Sequence, residues 1–350
     1  MDILLLRTWI RNIGNGFIDK GAKAQLTAAF PDANIVEASG YGVAAADENA
    51  MGGIDGLLGQ IANRIDYSKA PQEVENVFKL PESMEFDLAV LPGCVLTTHA
   101  LRKYHSTLRS ISDRGIPILI LGGGGTYNDP MRNYVRGQLR ELDSVGLISR
   151  DGTAYEYYSD TVAYSREGID CAFFINDWFE PPDLEKEYIT AAFDKRTEPT
   201  LRSDAEVIRP HHDPFGFPFQ GVIKEFLRPT GKNVELSTDI LASLKSILAA
   251  HLGDGYFDDP NVFVSDLLED YLTIYANTDR TISDRVHACV PTLVYGSEAY
   301  LYYETGRSKL FDEVMDREIT DGFSTIDQEK LRRKKREQVE AIDTAVDELL

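Results

Sequence analysis

The sequence predicts an α/β protein of two Rossmann-like units closed by an amphipathic C-terminal helix, and three observations carry that reading. In the first half, short apolar runs alternate with longer segments of helical period, the pattern of a parallel sheet covered by helices. From Asp177 to Gly221 the alternation breaks up among six prolines and many charges, which marks a linker or long loops. A second, shorter alternation follows, and 350 residues suit about two domains. The expected bounds are 1–178 for the first unit, 186–330 for the second and 331–350 for the final helix.

In the first unit the candidate strands are Ile3 to Leu6, Asn34 to Glu37, Asp87 to Leu91, Ile116 to Leu121 and Val145 to Ser149. Between them Lys20 to Phe30, Ala100 to Arg114 and Pro130 to Leu142 have the length and spacing of crossover helices. Unusual residues gather after the strands: Asn12 to Gly16, Pro92 to Cys94, Gly122 to Gly125, and Arg150 with Asp151. In such sheets ligands bind beyond the carboxyl ends of the strands. The second unit reads as a strand at Tyr188 to Phe193, a helix at Ser237 to His251, a strand at Val262 to Ser265, a helix at Asp266 to Asn277 and a strand ending at Thr281 and Ile282. Ile326 to Leu350 is helical, with Val339, Ile342, Val346 and Leu349 on one face. No tandem repeat is visible.

A formal charge of -21, from 57 acidic against 36 basic side chains, opposes nucleic-acid binding and raises the cost of holding a small anion. Acidity with arginine outnumbering lysine suits a salt-rich cytosol, so a halophilic source is an expectation, beside that of an ordinary acidic protein. Cys94, Cys171 and Cys289 are widely spaced in apolar sequence and read as small buried thiols. The opening apolar run is too short for a signal peptide and no stretch reaches a membrane span, so a cytoplasmic protein is expected. The basic run Arg332 to Arg336 reads either as a helix face packed on its own protein or as a loose contact with anionic lipid at the cytoplasmic face of the membrane.

The strongest chemical signal is Thr281 to Ala288, T-I-S-D-R-V-H-A, where a strand gives way to a helix. Ser283 and Asp284 suit an N-cap, which sets Arg285 and His287 in a first turn with free N–H groups. Arginine grips phosphate or carboxylate through paired hydrogen bonds, and histidine carries a proton near neutral pH. The glycines Gly122 to Gly125 allow close backbone approach but lack the spacing of a P-loop or a dinucleotide fingerprint. Either a sharp turn or an anion cradle explains them. Asn12 to Gly16 allows a tight turn or acceptor contacts, Arg150 a cleft position or a surface pair with Asp151, and His99 a place near the cleft. His211, His212 and Asp213 are explained more simply by a proline-flanked loop than by a metal.

In their order these features resemble the polysaccharide pyruvyl transferase family. The N-x-G-D/N motif is matched by Asn12, Gly14 and Asn15, and the next by Asp87 and Gly93. Gly115, Pro117 and Gly122 to Gly125 follow, then Arg150 with Asp151, then the D-x-A-F segment at Asp170, Ala172 and Phe173. Ser283, Arg285, His287 and Ala288 match the S-x-R-x-H-A signature. The third strand departs, with Pro92, Gly93 and Cys94 where a glycine pair or triplet is usual, and Pro291 interrupts the last helix. Residues 178 to 260 match poorly.

The resemblance implies a glycosyltransferase-B-like pair of Rossmann-like domains with a cleft between them. It implies transfer of pyruvate from phosphoenolpyruvate to a sugar of a surface glycan or exopolysaccharide as a ketal, with no metal and no cofactor. His287 and Arg285 would be catalytic. Arg150, Arg285, Ser283, Gly123 and Gly124 would bind the donor, and Asn12, Asn15 and His99 the glycan or lipid-linked sugar acceptor. A nucleotide-sugar-dependent glycosyltransferase and a noncatalytic binding protein of the same fold are the alternatives. Acceptor sugar, ketal stereochemistry, proton donor and oligomeric state are left open by the sequence.

Overall fold

The computed structural model describes residues 1–8, 12–40, 80–125, 129–193, 196–201, 203–212 and 260–350, without the side chains of residues 99, 102 and 129. The expected helix Ser237 to His251 and Asp213 lie outside the described residues. The rest forms two wholly parallel sheets. The first contains β1 (Asp2–Arg7), β2 (Asn34–Ser39), β3 (Leu88–Pro92), β4 (Ile118–Gly123), β5 (Val145–Ser149) and β6 (Tyr164–Glu167), in the order β2-β1-β3-β4-β5-β6. The second contains β7 (Tyr188–Ala192), β8 (Glu206–Pro210), β9 (Val262–Phe263), β10 (Arg280–Ser283) and β11 (Glu298–Leu301), in the order β11-β10-β7-β8-β9. This is the two-unit, glycosyltransferase-B-like α/β architecture expected above.

Strand order reverses between β1 and β3 in the first sheet and between β7 and β10 in the second. Connections leave opposite faces at such points, opening a crevice at the strand ends. The central strands β3, β4 and β5 are buried along their whole length, which is why their sequences are continuous apolar runs.

The helices in chain order are α1 (Ile13–Ala29), α2 (Thr98–Asp113), α3 (Asp129–Arg140), α4 (Gly152–Tyr158), α5 (Ile175–Trp178), α6 (Leu268–Ala276), α7 (Val286–Val294) and α8 (Gln328–Leu349). Two apolar cores flank the first sheet. Leu4, Leu6, Leu91 and Ile120 pack with Leu101, Leu108 and Leu139 of α2 and α3 on one side. On the other, Leu5, Val90 and Leu121 join Phe17 and Leu26 of α1 in a core that continues through Tyr271, Val290 and Ile342 of α6, α7 and α8. That second core fastens the two units around α1. Gly21 permits it: a Cβ there would stand 1.9 Å from the Cys171 carbonyl oxygen, so α1 lies directly on the backbone of the crossing segment.

The chain crosses between sheets through a 3-10 turn at Cys171–Phe174 and α5, and α8 crosses back. Gln338 of α8 accepts the Ile169 N–H at 2.6 Å and donates to Gln25 of α1 at 2.7 Å, both deep in the interior. Within the basic run, Lys334 pairs with Glu313 at 2.5 Å and Lys335 with Asp177 at 2.8 Å, while Arg332, Arg333 and Arg336 stay exposed. No helix among the described residues is long and apolar enough to cross a membrane.

The structure corrects the sequence reading at several elements. Helix α1 starts at Ile13 rather than Lys20, with Asn12 as its N-cap accepting the Gly14 N–H at 3.0 Å. Its early glycines disguised a helix whose Gly14 and Gly16 are required by close neighbours, His287 and Leu268. Strands β6, β8 and β11 were not expected as strands. β6 and β11 are sheet edges, and β8 has one buried residue, so none carries a continuous apolar run. Cys171 and Cys289 are buried, whereas Cys94 is half-buried.

Candidate functional site

The β5 strand delivers Arg150 to its carboxyl end, and Asp151 then caps α4 by accepting the Ala154 N–H at 2.8 Å. Arg150 is only 2% exposed, so the surface pair with Asp151 that the sequence allowed is instead an interior one. Its Nε lies 3.5 Å from Asp151, and its Nη1 donates to Asp170 Oδ2 at 3.4 Å. Nη2 reaches Cys94 Sγ at 3.8 Å, beyond the end of β3.

Asp170 belongs to the segment that crosses between the sheets, where its Oδ1 caps the 3-10 turn by accepting the Ala172 N–H at 2.9 Å. Its Oδ2 faces Arg150 of the first unit and His287 Nε2 of the second, the latter also at 3.4 Å. Burial alone would raise this carboxyl, but His287 and Arg150 outweigh burial and hold it at about 2. Asp170 is therefore ionised at neutral pH, which assigns a hydrogen to His287 Nε2.

His287 occupies the second position of α7 and is 8% exposed. Its other flank is the α1 N-terminus, where a Cβ on Gly14 would stand 2.8 Å from His287 Cβ and 3.0 Å from Nδ1. The N-x-G motif and the R-x-H motif, 270 residues apart in their reading, thus meet in one place through a residue with no side chain. Pro291 has no N–H to offer the His287 carbonyl one helical turn back.

The glycine run after β4 serves this cluster through packing. Gly122 has φ +61 and fits against Cys171 Sγ, and Gly123 is enclosed by Leu147 and Ile120 side chains while its carbonyl accepts the Arg150 N–H at 3.0 Å. Gly124 faces Arg150: a Cβ there would lie 2.1 Å from Nε and 2.7 Å from Cζ. Gly124→Ala is therefore expected to push the guanidinium out of its place between Asp151 and Asp170, at about 1–3 kcal/mol. The urea-unfolding midpoint should fall accordingly while the circular-dichroism spectrum of the folded protein is retained. An unchanged midpoint would show that the guanidinium is not held tightly where it stands.

Other expected residues take different places. Ser283 and Asp284 are not the N-cap of α7; Arg285 holds that position, with no side-chain cap bond. Ser283 Oγ is fully buried, donating to the Ala192 carbonyl at 2.7 Å and accepting the Arg285 N–H at 2.8 Å, so it fastens β10 to β7. Asp284 accepts the Arg196 N–H at 2.7 Å across the ends of the same strands. Asn12 is engaged as the α1 cap, and Asn15 lies in the first turn, its carbonyl 3.5 Å from the Thr8 hydroxyl. His99 sits in the first turn of α2, and its side chain lies outside the described residues. His212 is wedged among Phe17, Tyr271 and Tyr275, with Nε2 2.6 Å from the Tyr275 hydroxyl, while its carbonyl accepts the Ile13 N–H at 2.9 Å. Among the described residues no group of three or more His, Cys, Asp or Glu could hold a metal ion.

The sequence reading placed Asp170 in a motif without assigning it to the site. Its position just before an apolar A-F-F-I turn, in the crossover between units, was the available signal.

No family model matches the chain, and no curated protein matches it significantly. Among solved structures it is similar to a UDP-N-acetylglucosamine 2-epimerase from Rickettsia bellii, at 11% identity and TM-score 0.43, covering 99% of this chain and 96% of that one. It is also similar to a putative UDP-N-acetylglucosamine 2-epimerase from Listeria monocytogenes, at 10% identity and TM-score 0.45, covering 100% and 90%. The third is MnaA of S. aureus in a co-structure with UDP, at 7% identity and TM-score 0.45, covering 99% and 90%.

Proposed function

We propose that the protein is a polysaccharide pyruvyl transferase-like enzyme, which moves pyruvate from phosphoenolpyruvate onto two hydroxyls of a sugar as a ketal. The observation that carries this reading is the Asp170 carboxylate shared by Arg150 from one sheet and His287 from the other, at the ends of parallel strands. A dianionic phosphate beside a carboxylate needs fixed cations, and protonating an enol carbon needs an acid held in one orientation. Arg150 and Arg285 supply the cations in this reading. Asp170 holds the His287 ring through Nε2, leaving Nδ1 as the nitrogen that passes a proton in this reading.

Proton transfer to the methylene carbon makes a methyl group and leaves the adjacent carbon electrophilic. One sugar hydroxyl adds there and loses its proton. The bond from that carbon to the phosphate oxygen then breaks, inorganic phosphate departs, and the second hydroxyl adds to the same carbon and loses its proton, closing the ketal ring. Every step is an addition, elimination or proton transfer.

Arg285→Ala tests the assignment. Losing an arginine–anion contact in a desolvated site costs roughly 2–5 kcal/mol, so phosphate release from phosphoenolpyruvate with a mixed sugar panel should fall about thirtyfold or more. Wild-type release by the mutant would sink the reading. Turnover of a nucleotide sugar instead would move the chain to glycosyl transfer.

A further inference from the structure

Five partly exposed aromatic residues form a continuous strip along the β11 edge of the second sheet, outside the cluster described above. Phe193 follows β7 and meets Tyr302 at 6.1 Å between ring centroids and Tyr303 at 6.4 Å. Tyr302 and Tyr303 meet edge to face at 4.8 Å. Tyr302 in turn meets Tyr300 at 5.5 Å, and Tyr300 meets Phe323 at 5.7 Å. Each end carries a cation over a ring: Arg196 lies 4.5 Å from the Tyr303 centroid and Arg280 4.8 Å from that of Phe323.

Aromatic side chains ordinarily sink their area into the core, and on this strand Ala299 and Leu301 fill that role at 0% exposure. Tyr302, the middle of the strip, is 36% exposed. Tyr302 is open to water and the other four rings are half-buried, each set edge to face with its neighbour, so the strip presents ring edges and faces in turn, with hydroxyls and guanidinium groups at its margins. A pyranose has the complementary surface, with a face of C–H bonds bordered by hydroxyls.

The strip is also continuous with the proposed donor site. The Tyr302 N–H binds the Ser283 carbonyl at 2.9 Å, and the Arg196 N–H binds Asp284 at 2.7 Å. These are the two residues before Arg285. A chain lying on the strip therefore ends where a sugar hydroxyl must arrive, and its other units run back along the edge strand toward Phe323.

We infer that Phe193, Tyr302, Tyr303, Tyr300 and Phe323 form an extended subsite that contacts successive sugar units of an oligosaccharide acceptor, with Arg196 and Arg280 hydrogen-bonding their hydroxyls. The inference rests on the proposed function for the class of its ligand, a glycan.

The test screens the wild-type protein on an array of neutral oligosaccharides graded from one to five units, then titrates the best-retained series by calorimetry. Affinity is expected to rise with chain length. Tyr302→Ala and Phe323→Ala should each weaken the longer members about tenfold, while phosphoenolpyruvate affinity stays at the wild-type value. Tyr302→Phe, which keeps the ring, should retain most of the affinity. No retention of any oligosaccharide, affinity independent of length, or equal binding by the alanine variants overturns the inference. So does a concentration-dependent dimer in sedimentation that Tyr302→Ala abolishes without any sugar binding, since the strip would then cover a second copy of the chain. Oligosaccharide binding without phosphoenolpyruvate binding would reject the donor assignment and leave the strip standing.

Discussion

Asp170→Asn is expected to abolish the proposed pyruvyl transfer and to destabilise the fold by about 3–5 kcal/mol, the cost of removing one partner from a buried charged set. The carboxylate is fully buried and its Oδ2 faces both Arg150 and His287. Asparagine can still cap the Ala172 N–H, but it has no negative charge to hold a guanidinium and an imidazole together. The pH dependence follows from the folded value of about 2 against 3.8 for the ordinary carboxyl. A lowered value means that the contribution is complete above about pH 4 and lost as the pH falls through 2. Between pH 5 and 9 this carboxyl stays ionised in the wild type, so the mutant should be the less stable of the two in urea unfolding throughout that range. A mutant as stable as the wild type would show that Arg150 and His287 do not depend on this carboxylate.

Asp19 behaves in the opposite way. It is buried on α1, where Oδ1 accepts the Thr8 N–H at 3.1 Å and the Thr8 hydroxyl at 2.7 Å, and Oδ2 accepts Arg7 Nε at 3.3 Å. Burial outweighs these three donors and raises the carboxyl from 3.8 to about 6. The folded state then binds the proton more tightly than the unfolded chain does. Its contribution is complete below about pH 4 and lost as the pH rises through 6, by about 3 kcal/mol over that window. Asp19→Asn keeps an oxygen for Thr8 and carries no charge, so it should be more stable than wild type at pH 8, with the difference shrinking toward pH 4. Parallel stability profiles for the two proteins would show that Asp19 ionises like an exposed carboxylate.

Much of the first unit was legible because its central strands are buried on both faces. β5 was expected with its observed bounds, and β1, β2, β3 and β4 within two residues at either end. Apolar periodicity reports burial, so it was silent at β6, β8 and β11, which lie at edges or hold few buried residues. The glycines of α1 misled for a related reason. Gly14 and Gly16 look like breaks in a helix, and only the distant partners His287 and Leu268 explain them.

The site was legible as a set of residue types at strand ends: Arg150, Arg285 and His287 were all singled out. What linked them was not. Asp170 joins two of them from a crossover segment, and no local spacing records that a carboxylate lies within reach of side chains 20 residues before it and 117 residues after it. Ser283 shows the reverse case: its place in a signature suggested a ligand, whereas its hydroxyl is committed to the strand beside it.

Calorimetric titration of the wild type and Arg285→Ala with phosphoenolpyruvate, in dilute and in molar KCl, with a UDP-sugar as the comparison ligand, tests the central claim most directly. The account predicts saturable binding of phosphoenolpyruvate by the wild type, weakened about thirtyfold or more in the mutant, and no competition by the UDP-sugar. Saturable binding of the UDP-sugar with no heat from phosphoenolpyruvate would contradict it.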